Sequence, residues 1–161
     1  MHPFRVGLGY DTHRLAAGES LVLGGVTIPS DFGTVAHSDG DVLLHAICDA
    51  LLGAAALGDI GEHFPDTDAQ YRAASSVDLL RVCVRRIGEA GWTVGNIDAT
   101  LVLERPKILP YKSAMRACIA EACGVPEDAV SLKATTAERM GFVGRGEGVE
   151  AHAVAMLYRK A

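Results

Sequence analysis

The order of helical and strand patterns along the chain constrains its fold more than any other feature of the sequence. Three segments with helical periodicity are interspersed with segments in which apolar and polar residues alternate as in β-strands. Helices that cross between strands, together with a hairpin, predict an α+β fold with a mixed β-sheet and helices packed on one face. The 161 residues contain no repeat, linker or low-complexity tract, so residues 1–161 are expected to form a single domain.

Turn and capping residues mark the expected element boundaries. The predicted strands are a short hairpin, Leu21–Leu23 with Val26–Ile28 across Gly24-Gly25, and four longer segments, Phe4–Tyr10, Thr93–Leu103, Val130–Ala134 and Val149–Tyr158. The first helix should begin at the signal Ser38-Asp39-Gly40-Asp41 and end near Leu57. The second should begin at Ser75 or Ser76 and end at Gly91, and the third should lie between Pro110 and Gly124.

Composition argues against several classes of protein. A net charge of −5 disfavours a nucleic-acid partner. No apolar run approaches membrane-spanning length, and the N-terminal residues lack a signal-peptide pattern, so we expect a cytoplasmic protein without a membrane partner. Four cysteines without CxxC spacing are expected to be reduced thiols: Cys48, Cys83, Cys118 and Cys123. A hydrophobic content of 49% is high for a monomer of this size and predicts apolar surface buried between subunits.

The basic residues are distributed unevenly. The segment from Leu15 to Tyr71 contains no Lys or Arg, although it holds nine carboxylates and three histidines. Clustered carboxylates in a partly apolar segment need counter-charge from elsewhere in the chain, from another subunit or from a metal ion. An acidic solvated surface is the alternative interpretation.

The first predicted helix favours the metal interpretation. Asp41, His45 and Asp49 lie on one face at i, i+4 and i+8, opposite an apolar face. Leu44, Cys48 and Leu52 flank this polar trio, so the trio should be enclosed. An enclosed histidine between carboxylates is well placed to bind a metal, although a single histidine on a helix is more often satisfied in the core.

Asp11-Thr12-His13 follows the first predicted strand and offers two further ligands. Side chains at i and i+2 of a strand point to one face, so Asp11 and His13 can reach one ion. One Asp and two His would leave zinc a fourth position for substrate, as in catalytic sites. From the residues alone, His37 and His45 are equal candidates for the third ligand.

Two later segments resemble phosphate-binding elements. Lys133-Ala134-Thr135-Thr136-Ala137-Glu138 ends a strand with a cation, two hydroxyls and a carboxylate able to hold a divalent ion. The Gly-rich segment Gly141–Gly148 could bring backbone amides and Arg145 to an anion, or could simply form a turn before the last strand. Neither a P-loop nor GxGxxG is present, and no Ser-His-Asp or Cys-His pair can be argued.

Five motifs, in order and with matching spacing, resemble those of the 2-C-methyl-D-erythritol 2,4-cyclodiphosphate synthase family over essentially the whole chain. They are HSDGDVLLHA from His37, LGAAALGDIG from Leu52, FPDTD from Phe64, KATT from Lys133 and GRGEG from Gly144. The resemblance implies a metal-dependent lyase of the non-mevalonate isoprenoid pathway. Its substrate would be 4-diphosphocytidyl-2-C-methyl-D-erythritol 2-phosphate, and its products CMP and the cyclic diphosphate.

The resemblance also assigns roles to individual residues. Asp11, His13 and His45 would hold one Zn²⁺ per chain, with Asp11 and His13 also contacting substrate, and Glu138 would hold Mg²⁺ or Mn²⁺ at the substrate diphosphate. His37 and Ser38 would bind phosphate, with His37 and Thr136 stabilising the transition state. Further substrate contacts would come from Asp59, Ile60, Gly61, Phe64, Pro65, Asp66, Thr67, Asp68, Leu103, Lys107, Leu109, Thr135, Phe142 and Arg145.

The same family resemblance implies a chorismate-mutase-like fold assembled as a homotrimer. Its three active sites would lie between subunits, and Phe142, Arg145 and Glu147 would line a central cavity. His152 stands where some relatives carry Glu, so no cavity ligand is predicted. Two alternative interpretations remain: a zinc phosphoesterase that activates water, and a trimeric binding protein with structural zinc.

Overall fold

The computed structural model describes residues 3–65 and 74–160. A mixed five-stranded sheet forms its centre, with β1 (Phe4–Ala17), β4 (Phe32–Thr34), β5 (Trp92–Val102), β6 (Val130–Thr135) and β7 (Gly148–Arg159) in the order β4-β1-β7-β5-β6. All neighbouring strands are antiparallel except β5 and β6, which are parallel. A separate hairpin pairs β2 (Leu21–Leu23) with β3 (Val26–Ile28). The predicted α+β class and mixed sheet are confirmed.

The helices are α1 (Val42–Ala55), α2 (Ile60–His63), α3 (Ser76–Glu89), α4 (Lys112–Cys123) and α5 (Gly141–Gly144). The longer helices, α1, α3 and α4, cover one face of the sheet, where inward side chains such as Ala151, Ala153 and Ala155 are buried. Eleven of the fourteen residues of α1 are buried, so this helix forms the centre of the core. No helix in the described part of the chain has the length and apolarity needed to cross a bilayer.

Two glycines of β1 bring α1 unusually close to the sheet. A Cβ atom at Gly7 would lie 2.0 Å from the carbonyl oxygen of Ala50, and one at Gly9 would lie 1.8 Å from that of Ala46. Real Cβ atoms do not approach backbone this closely, so any other residue would push the helix outward. The distance between α1 and β1 therefore depends on glycine at both positions.

On the opposite face of the sheet, β1 and β7 present an exposed apolar strip. Outward side chains of β1 and β7 account for most of this surface, with 42–70% of each exposed: Phe4, Val6, Leu8, Tyr10, Val154 and Tyr158. A monomeric soluble protein rarely presents so contiguous an apolar strip. Exposed apolar patches commonly mark surfaces that contact another protein or a membrane.

Several predicted boundaries need correction. Strand β1 continues to Ala17 instead of ending at Tyr10, because it pairs with β7 as far as Arg14 and then with β4. The cap of α1 is Asp41, the last residue of the predicted start signal, since its carboxylate accepts from the backbone N–H of Leu44. Pro110 lies in a 3-10 turn, and α4 begins after that turn at Lys112. Gly124 ends α4 in a left-handed conformation, as expected. The sequence patterns did not predict β4, α2 or α5.

Candidate metal centre and active site

Asp11, His13 and His45 meet between β1 and α1. Asp11 and His13 share the β1 face that carries Gly7 and Gly9, and His45 lies on the helix that packs against those glycines. His45 Nδ1 is 3.1 Å from both Asp11 Oδ2 and His13 Nε2, and His13 Nε2 is 3.4 Å from Asp11 Oδ2. Only 12–26% of each side chain is exposed. This geometry places three potential ligand atoms within reach of one ion.

The donor set suits a divalent metal. One carboxylate oxygen and two imidazole nitrogens are common ligands of zinc, and three protein ligands leave a further position open. Within the described residues, this is the one group of three or more His, Cys, Asp or Glu side chains that could hold a metal ion together. Burial lowers the pKa of His13, which favours the neutral imidazole that a metal needs. The triad thus fits a divalent metal site.

A hydrogen-bond relay through the buried Ser76 orients the imidazole of His45. Ser76 Oγ lies 3.0 Å from His45 Nε2 and also forms a hydrogen bond with Asp39 Oδ1. The Asp39 carboxylate can only accept, so the single hydroxyl hydrogen of Ser76 points to Asp39. Ser76 Oγ must then accept from the Nε2–H of His45, which leaves Nδ1 as the nitrogen that faces Asp11 and His13. Sequence reasoning missed Ser76 and took Asp39 only as part of a helix-start signal.

The two acidic residues of the predicted polar trio, Asp41 and Asp49, accept hydrogen bonds from backbone amides. Asp41 is fully buried and accepts from the N–H groups of Gly24, Gly25 and Leu44 at 3.0, 2.7 and 3.1 Å. Burial raises the pKa of Asp41 to about 6 despite these bonds. Asp49 accepts from the N–H of Ile60 at 2.7 Å and thereby anchors the start of α2. Of the trio, only His45 faces the candidate metal site.

A cavity of about 470 Å³ opens beside the three ligands. Its described lining combines Asp11, His13 and His45 with Val35, Ala36, His37, Ser38, Ile60, Gly61, Phe64 and Leu79, and includes no Lys or Arg. His37 is an exposed lining residue outside the three-ligand cluster, so the geometry favours His45 as the third ligand. Ser38 Oγ lies 3.4 Å from His45 Nε2.

Helix α2 forms one wall of this cavity. Asp59 caps α2 by accepting from the N–H of Glu62 at 3.0 Å. His63 Nε2 lies 2.7 Å from the carbonyl oxygen of Leu57, and its other nitrogen contacts Arg86. The Arg86 guanidinium also stacks 5.2 Å from the centre of the Phe64 ring. Pro65 is exposed, and the predicted substrate contacts Asp66, Thr67 and Asp68 lie outside the described residues.

The remaining predicted site residues form a second group, at the end of β6 and around the Gly-rich segment. Thr136 Oγ accepts from the N–H of Glu138 at 3.2 Å and lies 3.4 Å from Glu138 Oε1. Neither residue lines the metal cavity of the same chain. Leu103 is buried and donates its N–H to the carbonyl of Thr135 at 3.0 Å, whereas Lys107 and Leu109 are exposed.

Lys133 and Arg145, which the sequence motifs suggest as phosphate-binding cations, each form an ion pair with a carboxylate. Lys133 Nζ lies 2.5 Å from Asp98 Oδ2, and this bond lowers the pKa of Asp98. Arg145 forms a two-point pair with Glu147 at 2.9 and 3.0 Å. The Gly-rich segment beside Arg145 contains the single turn of α5, with Phe142 partly exposed.

The fold and this site define an α+β protein with a side-chain cluster that fits a divalent metal, placed between its sheet and its central helix. The chain belongs to the YgbB family, whose model matches residues 4–158. A curated relative from Pseudomonas aeruginosa (strain LESB58), named 2-C-methyl-D-erythritol 2,4-cyclodiphosphate synthase, is 60% identical over 153 residues, 95% of this chain and 98% of the relative. The resemblance seen in the sequence motifs is confirmed.

Solved structures agree with this assignment. A 2C-methyl-D-erythritol-2,4-cyclodiphosphate synthase in a CDP-bound form is 40% identical, with a TM-score of 0.89 over 95% of this chain and 99% of that one. A bifunctional protein from Campylobacter jejuni is 41% identical, with a TM-score of 0.93 over 97% of this chain. The present chain spans 42% of that longer protein.

Proposed function

We propose that the chain converts 4-diphosphocytidyl-2-C-methyl-D-erythritol 2-phosphate to the 2,4-cyclodiphosphate and CMP. A 2-phosphate oxygen forms a bond to the β-phosphorus, and the bond from that phosphorus to the bridging oxygen of the α-phosphate breaks. The electron pair leaves with CMP. The observation that carries the proposal is the Asp11–His13–His45 donor cluster beside a cavity of about 470 Å³, in a chain 60% identical to a named synthase.

This reaction makes limited demands on protein side chains. The attacking phosphate is part of the substrate and is already ionised, so no protein nucleophile or strong base is needed. The protein must hold two mutually repelling phosphates in line and balance their charge. A zinc ion held by the three ligands would supply a Lewis acid for the phosphate oxygens.

The lining of the cavity supports a role for metal charge. Its described lining carries Asp11 and three histidines but no Lys or Arg, although the substrate is strongly anionic. His37 and Ser38 stand at its edge, where an imidazole and a hydroxyl can hydrogen-bond a phosphate. Asp59, Ile60, Gly61 and Phe64 would contact the sugar portions from α2.

A homotrimer of chorismate-mutase-like subunits would complete this site. The exposed apolar strip on β1 and β7 is suited to pack against copies of itself. Thr135, Thr136 and Glu138 would reach the substrate diphosphate from a neighbouring subunit, with Mg²⁺ or Mn²⁺ on Glu138. Leu103, Lys107 and Leu109 would hold the cytidine of the same substrate. The CDP-bound relative supports a cytidine nucleotide as ligand, and the pathway step would take place in the cytoplasm.

An oxygen-18 experiment tests whether the attacking oxygen comes from the substrate or from water. A correctly held internal nucleophile has an advantage of roughly 7–11 kcal/mol over an untethered one, so water should lose the competition. The reaction is run in ¹⁸O-labelled water and both products are examined by mass spectrometry. Unlabelled CMP and cyclic diphosphate are expected. Stoichiometric incorporation of ¹⁸O into a phosphate product, with no cyclic diphosphate formed, would instead identify a phosphoesterase.

A further inference from the structure

The turn that carries Thr136 and Glu138 has an unusual backbone. Glu138 and Arg139 are consecutive non-glycine residues with positive φ, at 52° and 63°. Side chains disfavour this left-handed region, so two such residues in succession persist only where their surroundings hold them. The conformation therefore needs a restraint from outside the turn.

Glu104 supplies that restraint. Its Oε1 atom accepts from the N–H of Ala137 at 2.8 Å and from the N–H of Arg139 at 3.3 Å. These two amides flank Glu138, and a left-handed backbone turns both toward one oxygen. A carboxylate that accepts two amide hydrogens stabilises this arrangement more than a neutral acceptor would.

Close packing prevents the turn from moving as a unit. A Cβ atom at Gly144 of α5 would lie 2.1 Å from the carbonyl carbon of Arg139, so α5 presses directly on the turn. On the other side, Leu103 donates its N–H to Thr135 at 3.0 Å and places Glu104 beside the turn. Without the Glu104 carboxylate, packing would still hold the turn in place. Its backbone φ angles could then leave the left-handed region.

We propose that Glu104 is a positioning residue that holds Glu138 and Arg139 in the left-handed conformation and thereby directs Thr136 and Glu138 toward the substrate diphosphate and its divalent ion. This inference rests on the proposed function. Glu104 also lies between Leu103 and Lys107, in the segment assigned to cytidine. One side chain would therefore set the distance between the nucleotide contacts and the ion-binding carboxylate.

The first test measures the turn itself. Amide exchange of Ala137 and Arg139 is followed by NMR in wild type, Glu104→Ala, Glu104→Gln and Glu121→Ala. Glu121 is a matched control, since it pairs with Arg81 at the surface of α3 and α4. Both amides should exchange at least about tenfold faster in Glu104→Ala, because their acceptor is gone. Unchanged protection in Glu104→Ala would overturn the inference.

The second test measures the Mg²⁺ concentration that gives half-maximal cyclisation. Glu104→Ala should raise it by about tenfold with zinc content unchanged, whereas Glu104→Gln, which keeps an acceptor oxygen, should raise it by less than about threefold. A wild-type Mg²⁺ dependence in Glu104→Ala would overturn the inference.

A rescue variant separates restraint of the backbone from direct contact with substrate. Glycine tolerates positive φ, so Arg139→Gly added to Glu104→Ala should recover part of the Mg²⁺ affinity. Failure to recover any would count against the role of the left-handed turn. If wild type forms no cyclic product, the proposed function fails, while the exchange measurement still decides whether Glu104 holds the turn.

Discussion

Replacement of Ser76 by alanine tests how the metal centre is organised. In the wild type, Ser76 Oγ accepts from His45 Nε2 at 3.0 Å and donates to Asp39. Ser76 is fully buried, so water cannot easily replace the missing hydroxyl. The nearest remaining acceptor is Ser38 Oγ, at 3.4 Å from Nε2. The variant would leave the Nε2–H of His45 poorly bonded and its ring free to rotate.

The expected loss follows from these distances. An unsatisfied buried donor costs about 1–3 kcal/mol, and the long bond to Ser38 recovers part of it. A net loss of about 1–2 kcal/mol corresponds to roughly 5- to 30-fold weaker zinc binding. This range overlaps the effect usually seen when a partner of a ligating histidine is removed.

Zinc affinity is measured by competition with a chromophoric chelator, which requires no turnover. The control is Ser75→Ala, because Ser75 precedes α3, is exposed and makes no side-chain cap bond to the described chain. That control should change the affinity by less than about twofold. Wild-type affinity in Ser76→Ala would refute the assigned tautomer of His45 and the relay from Asp39.

Three further predictions concern the ion, the core and pH. Glu138→Gln should retain zinc but raise the Mg²⁺ requirement about tenfold, equivalent to about 1.4 kcal/mol, and lower kcat; unchanged Mg²⁺ dependence would exclude Glu138 as a ligand. Gly9→Ala should cost about 1–3 kcal/mol of unfolding free energy and weaken zinc binding, because its methyl group would strike the Ala46 carbonyl. Gly53→Ala is the control, because its methyl group would meet nothing within 4 Å. It should leave zinc binding unchanged, and urea titrations should give an unfolding free energy equal to or slightly above that of the wild type. Folding raises the pKa of Asp41 to about 6, so the folded state binds the Asp41 proton more tightly than the unfolded state does. The contribution of Asp41 to the free energy of unfolding therefore falls as the pH rises from about 4 to about 6. Asp41→Asn should remove that fall, and urea titrations across this range would detect it; an unaltered pH slope would contradict the shift.

The Asp11–His13–His45 cluster was largely predictable, because strand and helix periodicities indicate which face of an element each side chain occupies. Side chains at i and i+2 of a strand share a face, so the sequence alone places Asp11 and His13 together. His45 could not be separated from His37 by spacing alone. The choice depends on the close approach of α1 to β1, which is a property of the packed core.

The roles of Asp41, Asp49 and Glu104 could not be predicted from sequence. All three carboxylates accept from backbone amides distant in the chain, such as Asp49 from Ile60 and Glu104 from Ala137. Periodicity identifies which face of an element a side chain occupies but not which backbone donor will reach it. The short elements β4 and α2 were missed for a related reason, since tertiary contacts define them more than local pattern does.

The placement of the metal ligands in two different layers has a mechanical consequence. Asp11 and His13 belong to the sheet, and His45 belongs to the helix packed on it. A bound ion would therefore cross-link the sheet to the helix at the point where Gly7 and Gly9 bring them together. Since the unfolded chain cannot hold these ligands in place, zinc at about 100 times its dissociation constant would add about 2.7 kcal/mol to the free energy of unfolding. Chelators should thus loosen the central layer of the protein as well as stop its chemistry.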